Sequence, residues 1–395
     1  MISKKALSIS PSPTLAIDTK FKQMKADGID VVGFGAGEPD FDTPKHICDA
    51  AIKAITDGKT RYTPAAGTLP LREAVCRKFE RENGLIYDPA QIVVSNGAKH
   101  SLVNAFMVIC NPGDEVIIPS PFWVSYPEMV KIADGVPVVL PTKEENFFKA
   151  TAEEFEAAIT SKTRAIVLNS PSNPTGMVYT KEELEAIAEV AVKHNIYVIS
   201  DEIYEHLIYE GKHTSIASFG EKIKDLTIIV NGVSKTYAMT GWRIGFTASN
   251  TQLAKAMSSI QSHATSNPNS IAQEATVAAL DGGLDCVEDM KVEFVKRRDY
   301  MVDRINGMDG VSCLKPNGAF YIMMNIKELI GKEICGVLIK SADDFADVFL
   351  DKAKVAVVPG TGFEAPEYVR WSYATSMENC KEGLNRLEKL LNNEF

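Results

Sequence analysis

Short runs rich in Val and Ile, each ending in turn or polar residues, constrain this chain more than any other feature. They lie at 91–97 (QIVVSNG), 115–120 (EVIIPS), 137–140 (PVVL), 165–170 (AIVLNS), 196–201 (IYVISD) and 226–232 (LTIIVNG). Between them run stretches with helical periodicity, such as 181–194, apolar at 184, 187, 188, 190 and 192. Strands that are hydrophobic almost throughout, alternating with helices, predict an α/β body with a mostly parallel sheet covered by helices on both faces. That body spans 45–280. The tail reads differently, with long charged helices at 285–306 and 376–391 and short strands at 318–324 and 355–358. It predicts a smaller α+β domain over 281–395, joined by the N-terminal segment 1–44.

A chain of 395 residues has ample length for two such domains. Its 42 basic and 52 acidic residues leave a net charge of −10, without a long basic run, which argues against nucleic acid or an anionic membrane as partner. No apolar stretch reaches the roughly 20 residues of a membrane span, and the N-terminus lacks the apolar region of a signal peptide. The seven cysteines are scattered, without C-x-x-C or H-E-x-x-H spacing, so no metal site is expected and a cytoplasmic location with reduced thiols is.

In open α/β sheets, ligands bind beyond the carboxyl ends of the strands, and those ends are loaded with polar residues here. Lys235 follows one of them, preceded by Ser234 and followed eight residues later by Arg243. Most lysines are solvated surface charges, but one desolvated among cations has a lowered pKa and can form a Schiff base with a carbonyl. Ser234 and Arg243 suit a phosphate dianion. Asp201 closes an apolar run and reads either as the N-cap of a helix over 202–207 or as a carboxylate that keeps a pyridinium nitrogen protonated. Tyr204 on the same helical face, and Asn173 in an N-P-T-G turn, could reach the neighbouring phenolic oxygen; the turn alone would also account for Asn173. Gly97, Ala98 and Lys99 open a helix after a strand, where free amides make an anion site. Trp123 is either core filling or a stacking partner for a flat cofactor. The glycines at 33, 35 and 37 fail as a dinucleotide fingerprint, because the third comes too early and Pro39 and Pro44 follow where a helix should start.

Together these residues resemble the fold-type I pyridoxal-phosphate enzymes, in particular the class I aminotransferases of the bacterial aspartate aminotransferase branch. The resemblance rests on ordered motifs at 11–14 (PSPT), 36–44 (AGEPDFDTP), Tyr62, 121–127 (PFWVSYP), 169–176 (NSPSNPTG), 200–206 (SDEIYEH), 234–243 (SKTYAMTGWR) and 369–375 (VRWSYAT). It implies the large pyridoxal-phosphate-binding domain and smaller domain given above. It also implies that Lys235 is the catalytic lysine, Asp201 the partner of the pyridine nitrogen, Tyr204 and Asn173 the ligands of the phenolic oxygen, and Trp123 the stacking ring. Ser234, Arg243 and Gly97–Ala98–Lys99 would cradle the phosphate, with Tyr62 lent across a homodimer interface. Arg370 would grip the substrate α-carboxylate with its planar fork, and Gly37, Lys99, Trp123 and Asn173 would also meet substrate. The implied reaction moves an amino group between L-aspartate and 2-oxoglutarate by a ping-pong mechanism, with Lys99 selecting dicarboxylates. Ser10 stands where many relatives are basic, which bears on prephenate transamination. The alternatives are broader or aromatic specificity, a β-lyase or decarboxylase on the same cofactor, and a cofactor-binding regulator, for which no DNA-binding extension is seen.

Overall fold

In a computed structural model describing residues 1–11 and 13–395, without the side chains of 13–16, the apolar runs assemble into one seven-stranded sheet. Ser12, within the 11–14 motif, lies outside the described residues. The strands are β1 (Ile92–Ser95), β2 (Glu115–Ser120), β3 (Val136–Pro141), β4 (Thr163–Asn169), β5 (Tyr197–Asp201), β6 (Thr227–Gly232) and β7 (Gly245–Ala248). Their order across the sheet is β1-β7-β6-β5-β4-β2-β3. β3, β2, β4, β5 and β6 pair in parallel, and β7 is antiparallel to both of its neighbours.

Neighbouring residues point to opposite faces, and both faces are buried. Val116 and Ile118 join Leu102 and Phe106 of the helix Ala98–Ile109 and Met257 of Thr251–Ala264. Ile117 joins Leu184 and Ile187 of Lys181–His194 on the other side. That last helix starts at a capping box, with Thr180 Oγ1 accepting from the Glu183 amide and Glu183 Oε2 from that of Thr180. It stops at Asn195, whose left-handed φ of 52° suits a helix end.

The tail forms a smaller antiparallel sheet of Val358–Pro359, Tyr368–Ser372, Tyr321–Asn325 and Ser312–Cys313, in that order. The helices Asp285–Asn306, Ala342–Ala353 and Met377–Leu391 accompany it. Val32–Gly33 pairs in parallel with Val355–Ala356, and Phe34 packs its ring 4.6 Å from that of Trp371. Residues 32–34 thus meet the tail, while Lys5 donates to Asp134 beside the large sheet at 2.9 Å.

Three local expectations change. The strand over 355–358 is split, because 355–356 serves Val32–Gly33 while 358–359 serves Tyr368–Ser372. The strand over 318–324 begins only at Tyr321, since Gly318 bridges Ile208 and Ala319 takes a left-handed φ of 56°. Residues 202–207 form turns rather than a helix, and Asp201 is the last residue of β5, its Oδ1 accepting from the Ile203 amide at 3.2 Å. No helix among the described residues is long and apolar enough to cross a membrane.

Candidate active site

Because β4 and β5 run in parallel with Asn169 beside Asp201, and β6 follows next, their polar ends converge on one edge. There they line a cleft of about 310 Å³, a size that suits a small ligand. Ala98, Lys99, Trp123, Asn173, Asp201, Tyr204, Ser234, Lys235 and Arg243 come to it from the large sheet, Gly37 from the N-terminal loop, and Arg370 from the smaller sheet. Of the expected residues, Gly97 stands behind this lining and Tyr62 is elsewhere, 92% exposed.

Lys235 Nζ donates to the Gly37 carbonyl at 2.5 Å. Burial lowers its pKa to about 8, Glu38 opposing and Arg243 and Arg370 adding to the fall. A neutral fraction of about a tenth at pH 7, far above that of an ordinary lysine, equips it to accept a proton. Asp201 is buried, and burial raises its carboxyl to about 6 even though Tyr126 donates to Oδ2 at 2.7 Å. A carboxylate in that position favours a cationic partner. Tyr204 is buried with its hydroxyl 2.9 Å from that of Tyr321.

Part of the cleft carries donors that suit a phosphate. Arg243 has a left-handed backbone, φ 57°, and among the described residues donates only to the Thr240 and Asn96 carbonyls, at 2.9 and 3.5 Å. A Cβ on Gly97 would fall 2.3 Å from Arg243 Nη2, and the φ of 87° there also requires glycine. Behind it, a Cβ on Gly245 would fall 2.2 Å from the Ala98 amide nitrogen, so glycine lets β7 touch the helix start. In the first turn of that helix His100 and Ser101 donate to the Gly97 carbonyl, so the Ala98 and Lys99 amides are the ones an anion could take, and Ser234 lines the same cleft.

Arg370 brings a second guanidinium to the cleft. Arg370 is 2% exposed and has no carboxylate partner among the described residues. It donates to Asn173 Oδ1 at 2.9 Å and to the Gly35 carbonyl at 3.0 Å, lies over the Tyr321 ring, and leaves Nε without an acceptor. A buried cation with an orphaned donor fits an incoming anion. Lys99 lies with Nζ 4.7 Å from the centre of the Trp123 ring, its pKa lowered by burial and by Arg243.

Sequence reasoning missed Tyr126, Tyr321 and Glu38, whose carboxylate accepts from Thr240 at 2.7 Å. Tyr126 and Glu38 lay inside quoted motifs and Tyr321 in an expected strand, but nothing local marked their partners. The glycine run rejected as a fingerprint enters the site instead through its carbonyls at 35 and 37.

Pyridoxal phosphate fits this donor set: Arg243, Ser234 and the helix start for the phosphate, Asp201 for the ring nitrogen, and Lys235 for the aldehyde. Such a cleft at the carboxyl edge of a mostly parallel sheet defines a fold-type I pyridoxal-phosphate enzyme. The chain belongs to the aminotransferase class I and II family, whose model it matches over residues 29–387. It is 49% identical to an aspartate aminotransferase of Geobacillus stearothermophilus, over 99% of this chain and 98% of the relative. It is 45% identical to an aspartate/prephenate aminotransferase of Nitrosomonas europaea, over 99% of both chains. The fold superposes on the aspartate aminotransferase of Rhizobium meliloti with a TM-score of 0.96 at 43% identity, covering 100% of this chain and 99% of that one. Against the Thermus thermophilus aspartate aminotransferase with maleate the TM-score is 0.94 at 44% identity, covering 99% of both chains.

Proposed function

We propose that this aminotransferase moves the amino group of L-aspartate to 2-oxoglutarate, giving oxaloacetate and glutamate in two half-reactions at one cleft. The observation that carries the reading is Arg370, a buried guanidinium without a carboxylate partner among the described residues, facing the cleft that also holds Lys235. Arg370 takes the α-carboxylate, exchanging its contacts with Asn173 and Gly35 for a fork on the substrate. Lys99 at the rim takes the distal carboxylate, which favours dicarboxylic substrates over neutral ones. The names of the relatives support aspartate, and the Thermus thermophilus relative was crystallised with maleate.

When bound, pyridoxal phosphate supplies a sink for the electrons left at Cα. Lys235 Nζ takes the Cα proton and later returns a proton, which its lowered pKa allows. Asp201, held by Tyr126, would hold the ring nitrogen, and Asn173 and Tyr204 would donate to the phenolic oxygen. We assign Arg243, Ser234 and the 97–99 helix start to the phosphate. Tyr62, exposed and away from its own cleft, is available to the same group in a partner of a homodimer. In this reading 1–44 belongs with 281–395 as the small domain and 45–280 is the large one. The enzyme is cytoplasmic, with its seven cysteines as unpaired thiols.

The test is product analysis on purified protein given pyridoxal phosphate, aspartate and 2-oxoglutarate, with initial-rate lines parallel as ping-pong kinetics require. Oxaloacetate and glutamate support the reading; alanine and CO₂ from aspartate would make the protein a decarboxylase. Lys235→Ala should remove turnover and borohydride labelling together. Prephenate belongs in the substrate panel, since some relatives are named for it.

A further inference from the structure

A second polar cluster, none of whose members lines the cleft, ties together the two loops that carry its chemistry. Lys78 ends the helix Leu69–Lys78 with its side chain 2% exposed. Its ammonium pairs with Glu205 Oε1, donates to Asn83 Oδ1 at 2.8 Å and lies 3.5 Å from Glu82 Oε2. Glu205 also accepts from Asn83 at 3.0 Å and from Asn231 at 2.6 Å. Burial alone would raise the Glu205 carboxyl, but Lys78 holds it well below the usual range. Glu82 and His206 continue the chain: His206 Nε2 is 3.0 Å from Glu82 Oε2, and His206 Nδ1 is 3.1 Å from the Thr236 hydroxyl.

Two of the links land beside cleft residues. Glu205 and His206 follow Tyr204, Asn231 stands near the end of β6, and Thr236 follows Lys235. Glu82, Glu205 and His206 have the spacing of a metal cluster, yet the Lys78 ammonium already contacts both carboxylates and supplies the positive charge. Nor does stability demand the arrangement, because well-packed apolar residues usually serve as well as a buried ion pair. A carboxylate opposite Nε2 makes that nitrogen the donor. Nδ1 faces the buried Thr236 hydroxyl, with Glu205 Oε1 3.8 Å from the same nitrogen, so the hydroxyl bonds the ring in either tautomer.

We infer that His206 and Thr236 are positioning residues for Lys235, holding the lysine loop at a fixed place relative to Asp201 and Tyr204 through the Glu82–His206–Thr236 chain. The inference rests on the proposed transamination for its kinetic readout but not for its structural one.

The test compares Thr236→Val, which deletes the hydroxyl at nearly constant volume, with Thr236→Ser, which restores it. His206→Gln, which gives up the contact made by Nδ1, is the second lesion. In Thr236→Val and His206→Gln, kcat should fall about tenfold or more as the reacting atoms lose alignment. KM for both substrates should stay within about twofold, the pattern of an interaction that matters after binding. Thr236→Ser should recover kcat. In cofactor-free protein, the amides of Tyr237 and Met239, bonded to the Val233 and Ser234 carbonyls at 3.1 Å each, should exchange hydrogen faster in the two lesions than in wild type. Wild-type kcat in both lesions would overturn the inference, as would a kcat loss in Thr236→Val that Thr236→Ser does not repair. If the wild type itself failed to transaminate, the functional reading would fall and hydrogen exchange alone would decide this one: faster exchange supports the pinned loop, unchanged exchange refutes it.

Discussion

Replacing Tyr126 by Phe removes one hydroxyl from the buried surroundings of Asp201 and leaves the packing of the ring against Trp123, edge to face at 5.5 Å, in place. That hydroxyl donates to Asp201 Oδ2 at 2.7 Å, and the Ile203 amide is the remaining donor to the carboxyl. Burial has already raised Asp201 from its ordinary 3.8 to about 6, about 3 kcal/mol against the ionised form. A hydrogen bond to a charged group contributes about 1.5–3 kcal/mol, so its loss should carry Asp201 to about 7–8 in the cofactor-free protein. The sign follows from proton binding. A native carboxyl titrating above its unfolded value keeps its proton longer, so folding stability falls as pH rises from about 4 to about 6 and stays lower beyond. In Tyr126→Phe the fall continues to about pH 7–8. Thermal unfolding of cofactor-free wild type and variant should therefore give curves that lie close at pH 5 and separate above pH 6. A gap in stability independent of pH would refute the reasoning, because the hydroxyl would then act through packing and not through the charge on Asp201.

Arg370→Lys keeps the charge but loses the fork on Asn173 and Gly35; KM for aspartate and for 2-oxoglutarate should each rise about 10–100-fold in steady-state assays. Lys99→Ala should cost about 10–100-fold in kcat/KM for aspartate while alanine changes by less than about threefold. An intact aspartate preference would remove Lys99 as the selector. Gly97→Ala should displace the Arg243 guanidinium and weaken pyridoxal phosphate by about tenfold in a fluorescence titration. Unchanged binding would show that Arg243 grips from another position.

The large sheet was legible because strands buried on both faces need apolar residues at every position, and their ends then stand out as polar. Asp201, Ser234 and Lys235 could be found in this way. Tyr126 could not, since its partner lies 75 residues further on and becomes a neighbour only when β5 takes its place in the sheet. The helix expected over 202–207 gives way to turns for a related reason. Glu202 and Glu205 are both buried, with His213 and Lys78 as their partners, and those contacts come from distant segments. The break at 357 depends on which strand each half pairs with, and the residues themselves carry no mark of it.

The contact between Gly245 and the backbone of Ala98 has a consequence for anyone redesigning this protein. A strand and a helix start that meet without room for a methyl group form a single rigid part, shared by residues almost 150 positions apart. Libraries that vary 97–99 to accept another anion would inherit that fixed seam. Those that vary 245 would break the anion site without touching a residue that faces it.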